Sequence, residues 1–245
     1  MLEQPKLFIP TFCTQLAEIE SQTREQLGGA ADHFQTMLGD CLAINLAILS
    51  LYSLSEQLNL VYHACWGMLR ELKWMHFHFL AGNYPWVKGR LRYLWEGTFR
   101  GYFVEKLAAP PVRARNVDEK LAWLENHKPR LDWNNCIVVT LRSVFPLAST
   151  EAKVAGHYHQ LWQELNRYVH PSEYLLCRMV DDSCLHVKDA FDLAWAKDTI
   201  RASIDVVDLI WLAVLLFHDR AIEAIAAEKL EANYPIVDQL LAGPL

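Results

Sequence analysis

IDVVDLIWLAVLLF, residues 204–217, is a nearly unbroken apolar run, and its reading decides the fold. A helix that crosses a bilayer needs about 20 consecutive apolar residues. This run is shorter, and Asp205 and Asp208 interrupt it. Ionised carboxylates are costly in hydrocarbon. A helix apolar on nearly all sides, yet too short to span, is the central helix of a bundle or one covered by a second subunit.

The rest of the chain agrees with a helical bundle. Apolar residues make up 52% of the 245, with nine Trp, nine Tyr and ten Phe, so a sizeable core can be filled and disorder is excluded. Gly and Pro number only ten each, too few for the turns of a β-rich fold. The six cysteines, Cys13, Cys41, Cys65, Cys136, Cys177 and Cys184, form no CxxC pair and read as reduced packing residues of a cytoplasmic protein. The N-terminus has no basic region followed by an apolar core, so no secretory signal and no membrane partner are expected.

Charge is uneven. The formal net charge is −6, which disfavours indiscriminate binding to nucleic acid. Between positions 88 and 115, however, Lys88, Arg90, Arg92, Arg100, Lys106, Arg113 and Arg115 face only Glu96 and Glu105. Seven minus two is +5, leaving −11 for the remainder. The segment is either a solvated helix face or a patch that attracts phosphate. On the second reading Lys88, Arg90, Arg100, Arg113 and Arg115 are candidate nucleic-acid contacts, together with Asn166.

Turn chemistry divides the chain into helices. Thr11 or Thr14 begins one that ends near Gly28-Gly29, and a long helical region runs from Ala31 to Leu80 with a break at Ser53–Ser55. Gly82-Asn83-Tyr84-Pro85 is a turn. It leads into a helix over 86–107 that Pro110-Pro111 stops, followed by a basic loop over 112–116. Shorter helices are expected over 118–127 and 132–143. A helix from Thr150 carries the stripe Val154, Tyr158, Leu161, Leu165, Tyr168 and ends at His170, before Pro171. A loop at 181–183 precedes the last long helix, 188–218, which continues toward Glu231, and a short helix over 235–241 closes the chain.

Metal and nucleotide motifs are missing. His76 and His78, like His157 and His159, are two apart and point about 200° apart on a helix, so neither pair shares an ion. There is no HExxH, Glu-x-x-His, GxxxxGK[ST], GxGxxG or GxSxG, and no cofactor is expected. Two constellations remain. Arg92 and Glu96 stand one helical turn apart beside Phe99 and Phe103, either as a structural ion pair or as an arginine held toward a cleft. Arg167 and His170 lie three apart on a polar face with His159, Gln163 and Asn166. At a helix C-terminus the macrodipole favours the imidazolium, which beside a guanidinium can hold a phosphate and protonate a leaving oxygen. The plainer reading is a C-capping histidine on a wet face.

Two stretches, FLAGNYPWVKGRLRYLWEGTFRGYFVEKL (79–107) and LWQELNRYVHPSEYLL (161–176), resemble the HEPN superfamily, especially its larger prokaryotic members. The resemblance implies one all-α domain over 1–245, a multi-helix bundle with a HEPN-like core at about 31–220, that often forms a homodimer. In active members an Arg and a His cleave RNA without metal, often in toxin–antitoxin or phage-defence systems. Carried over, His170 is the catalytic His and Arg167 the Arg, with Arg92 and Glu96 as further candidates. The family places the Arg four to six residues before the His, whereas here Gln163, Glu164, Leu165 and Asn166 stand seven to four residues before His170 and none is Arg. Either Arg92 substitutes, giving a metal-independent ribonuclease, or the chain is a catalytically silent module that binds RNA or a cognate protein. A helical ligand-binding or structural protein of unrelated ancestry is the alternative.

Overall fold

The computed structural model describes residues 8–127, 131–145, 154–169 and 191–242. The chain is an all-α, multi-helix bundle with no strand among the described residues. Helix α1 (Phe8–Leu27) passes through a 3-10 turn (Gly28–Asp32) into α2 (His33–Leu51). A single turn, α3 (Leu54–Gln57), separates α2 from α4 (Leu60–Leu80), and α5 (Tyr84–Tyr102) continues as a π-helical turn (Phe103–Leu107). Then come α6 (Pro110–Arg113), α7 (Val117–His127), a π-helical turn (Trp133–Ile137) running into α8 (Val138–Val144), and another (Val154–Tyr158) running into α9 (His159–Val169). Helices α10 (Leu193–Phe217), α11 (Ala221–Glu228) and α12 (Pro235–Leu241) complete the chain.

The boundaries follow local chemistry. Ser53 and Glu56 form a reciprocal capping box that stops the long N-terminal helical run and starts α3. Asn59 accepts from the Tyr62 N–H at 2.8 Å to cap α4. Gly82, at φ 76°, takes the left-handed conformation between α4 and α5, and Asn83 then caps α5, with Pro85 in its first turn. Asp192 caps α10 through the Trp195 N–H at 2.9 Å. Pro110 and Pro111 end the α5 run but open α6, since a proline fits the first turn of a helix. Part of the expected basic loop is therefore helical.

Helix α10 is the core helix that the apolar run promised: every residue from Val206 to Leu215 is buried. It packs along α5, which also touches α4 and α9, and one contiguous apolar core runs from α2 to α12. By length and composition the helical stretch 14–51 is the one candidate span among the described residues, with 44% of its most apolar window buried. Helix α10 ends at His218 rather than continuing to Glu231, and α11 starts afresh. Cys41, Cys65 and Cys136 are buried free thiols. Burial pushes Cys136 up to about 12 and Cys41 well above its ordinary value, so neither is a ready nucleophile. Cys177 and Cys184 lie outside the described residues.

Two buried carboxylates fasten the C-terminal segment. Asp40 accepts from the backbone N–H groups of Glu231 (2.7 Å) and Ala232 (2.9 Å). Asp208, one of the interruptions in the apolar run, accepts from Ile236 (2.8 Å) and Val237 (2.9 Å) at the first turn of α12. Its charge thus meets orphan helix donors inside the protein. Burial still pushes Asp208 up to about 6, against those two hydrogen bonds.

Acid should loosen the bundle. Burial pushes His33 and His218 down to about 4, below the unfolded value near 6.5. Each therefore stabilises the fold above pH 6.5 and loses that contribution as pH falls toward 4, about 3 kcal/mol in the case of His218. Asp208 acts oppositely, because its raised value favours the fold below the ordinary carboxylate range and that benefit goes as pH rises through 6. Two histidines against one aspartate give a melting temperature that drops between pH 7 and pH 4. His218 sits among Tyr52, Tyr62 and Phe217 with its Nε2 unpartnered, so His218→Phe should reduce that drop. An equal drop in both proteins, followed by circular dichroism, would refute the assignment.

Candidate functional site

Helices α4 and α5 form a hairpin whose outer side opens as a groove of about 730 Å³. Glycines shape it. A Cβ at Gly101 would stand 3.3 Å from the Leu60 backbone, and one at Gly89 would stand 3.2 Å from the Tyr168 carbonyl oxygen. These two let the start of α4 and the end of α9 close the groove's ends. A Cβ at Gly67 or Gly97 would meet nothing within 4 Å, so these two leave the floor open. From Gly89 to Gly101 α5 rises roughly 18 Å.

Charge enters the groove as two Arg–Glu–Arg sets. Glu71, nearly buried on α4, takes Arg70 on one oxygen at 3.0 Å and the Arg90 Nε on the other at 2.8 Å. Glu96 on α5 takes the Arg92 Nε at 2.6 Å and Arg100 at 3.1 Å. The i,i+4 spacing places Arg92, Glu96 and Arg100 along one helix face. Arg92 is further held by donation to the Trp162 carbonyl oxygen at 3.0 Å, and it lies 3.6 Å from the centre of the Trp162 ring. Burial pulls its guanidinium below its usual value, with Glu96 opposing. Arg100 donates to the Leu131 carbonyl oxygen. Each set holds two guanidiniums on one carboxylate. With Glu125 also lining the groove, four Arg minus three Glu leave +1 in a chain of −6.

Aromatic rings edge the same groove. Arg90 lies 5.4 Å from the Trp86 ring centre and 4.8 Å from that of Tyr93, and His78 stacks on Trp86 at 3.9 Å. Tyr93 is 58% exposed. Guanidinium donors beside exposed rings can hold an anion and stack a planar group. No group of three His, Cys, Asp or Glu among the described residues could hold a metal ion.

The residues singled out from the sequence separate in space. Arg90, Arg92, Glu96 and Arg100 all line the groove. Lys88 does not: it is fully buried, bonded to Glu164 at 2.7 Å and to Asp198, with its ammonium 5.0 Å from the Tyr168 ring centre. Burial works against that ammonium, but the two carboxylates outweigh it and raise its pKa. Lys88 therefore ties α5 to α9 and α10. Arg113 and Arg115 are exposed away from the groove, Arg115 beside a separate hollow with Trp123 and His127. On α9, Asn166 is half-buried and Arg167 exposed, while Tyr168 and Val169 reach the groove. His170 lies outside the described residues. Glu71, Arg70, Trp86 and Tyr93 were not singled out from the sequence. A charged pair inside the apolar run of α4 was the signal for the first two.

Compared with family models, curated proteins and solved structures, the chain matches none.

Removing a shared carboxylate should be costly. Glu96→Ala leaves Arg92, with 7% of its side chain exposed, without its counter-ion, and about 3–5 kcal/mol of unfolding free energy should be lost. Glu20→Ala breaks an exposed pair with Arg24 and should cost no more than about 1 kcal/mol. Urea denaturation of both variants checks the contrast, and equal losses would contradict it.

Proposed function

We propose that the chain is a cytoplasmic, HEPN-like RNA-binding module of a prokaryotic defence or toxin–antitoxin setting, which holds single-stranded RNA in the α4–α5 groove without cutting it. One observation carries this reading: two Arg–Glu–Arg sets, the exposed Tyr93 and the half-buried Trp86 converge on one glycine-floored groove. Guanidiniums in excess of their carboxylates attract phosphates, and exposed rings stack bases with little regard to sequence. A length of roughly 18 Å suits a few nucleotides rather than a duplex. Arg92 is occupied by Glu96 and by Trp162, which argues against its serving a scissile phosphate.

Cleavage is the second reading, and one observation favours it. Tyr168 and Val169 line the groove, and His170 is the next residue in the chain.

Fluorescence anisotropy with a short labelled single-stranded RNA tests the proposal. The groove's net charge of +1 predicts a log–log salt slope of about −0.7, and Arg70→Ala or Arg90→Ala should each flatten it to about zero. Gly97→Trp should fill the groove and weaken binding at least tenfold with no loss of melting temperature, since its new side chain meets open space. Binding unchanged by Gly97→Trp, or no binding at low salt, would sink the reading. The same RNA incubated with EDTA should stay intact. Cleavage that disappears in His170→Ala and Arg167→Ala would replace binding alone with metal-independent catalysis.

A further inference from the structure

Helix α2 turns an apolar stripe to solvent. Its exposed positions include Gln35, Gly39, Leu42, Leu46 and Leu49, spaced four, three, four and three. That is the seam spacing of a helix that pairs with another helix. Among the described residues this seam is left half open: Leu42 is 47% exposed and Leu46 55%. On the neighbouring α4, Trp66, next to the Cys65 that meets α2, is 48% exposed. The most apolar window of the helical stretch 14–51 is less than half buried, which a core helix would not leave so.

We propose that this face is the homodimer interface, with α2 packed antiparallel against α2 of a second copy. The stripe is self-complementary. An antiparallel pairing with its twofold axis level with Ile44 sets Leu42 against position 46 of the second copy, and Leu49 against the small Gly39 position. Large side chains thus meet each other at the centre and fill a glycine gap at the ends. A Cβ at Gly39 would meet nothing within 4 Å, so the gap is open.

Charge is consistent with self-pairing. None of the exposed residues of α2 is charged, so a twofold contact brings no like charges together. The same absence of Lys and Arg on α2, in a chain of −6, gives no attraction to an anionic lipid surface. Area is adequate as well. Half-exposed Trp66 contributes roughly 100 Å². Together with Leu42, Leu46, Leu49 and Leu51 of α2 and the exposed Leu54 and Leu58 beyond its end, the face reaches several hundred Å², the order of the ~800 Å² that each partner contributes to a standard interface. This inference does not depend on RNA binding, because the groove opens between α4 and α5 and takes no residue from α2.

Sedimentation velocity of the full chain from low to high micromolar concentration is the test. The wild type is expected to be a dimer, and Leu46→Glu a folded monomer with unchanged helical content, since Leu46 is 55% exposed in the single chain. Leu42→Cys combined with Leu46→Cys should give a covalent dimer on oxidation, which the wild type does not. A wild type that stays monomeric, or a dimer indifferent to Leu46→Glu, overturns the proposal. A dimer that fails to cross-link overturns the antiparallel register. A monomer that floats with phosphatidylserine vesicles, and loses this with Leu46→Glu, assigns the face to lipid instead.

Discussion

A charge taken out of water must be met by another, and α5 takes four cations out of full solvent. Lys88 is completely buried, Arg92 nearly so, and Arg90 and Arg100 in part. Four carboxylates from four helices answer them: Glu71 on α4, Glu96 on α5 itself, Glu164 on α9 and Asp198 on α10. Apolar packing would bring these helices together in many rotations. The ion pairs have far fewer solutions, because removing one partner strands a desolvated charge. The bundle around α5 is therefore held in one register, and the groove inherits its shape from that register.

The same constraint separates what the sequence could tell from what it could not. Short-range chemistry was legible. The turn at Gly82–Pro85, the break at Ser53, the Arg92–Glu96 pair and the final helix Pro235–Leu241 all rest on residues a few positions apart. Long-range pairing was not legible. Glu71 meets Arg90 across a helical hairpin, and Lys88 reaches residues 76 and 110 positions away, so nothing in a local window marks Lys88 as buried rather than basic surface. Histidines show the same limit. The spacing of His157 and His159 correctly separates them on their helix, but only the fold shows one beside Asp205 and the other stacked on Trp133.

Buried aspartates extend the argument to the chain's end. Asp208 reads in sequence as a blemish in an apolar run, and Asp40 as an ordinary helical acid. In the fold each receives two backbone N–H groups from the segment after α11. A short helix such as α12 has little intrinsic stability. Its place is set by a carboxylate that satisfies its first-turn donors, and that carboxylate is itself positioned by the most buried stretch of α10.

Helix α4 is where the groove and the apolar face come closest, and its periodicity keeps them apart. Cys65 turns its carbonyl toward Cys41 and Asn45 of α2, while Gly67, two residues on, lies in the groove. Positions two apart on a helix diverge by about 200°. A partner laid along α2 would therefore leave the groove open on the opposite flank, and two copies would carry two separate grooves. Any influence of one on the other would pass through the rotation or translation of α4, which among the described elements is the one with residues on both sides. The Glu71 side chain, fixed between Arg70 and Arg90, resists that movement, so the ion pairs that shape the groove also insulate it from the face behind.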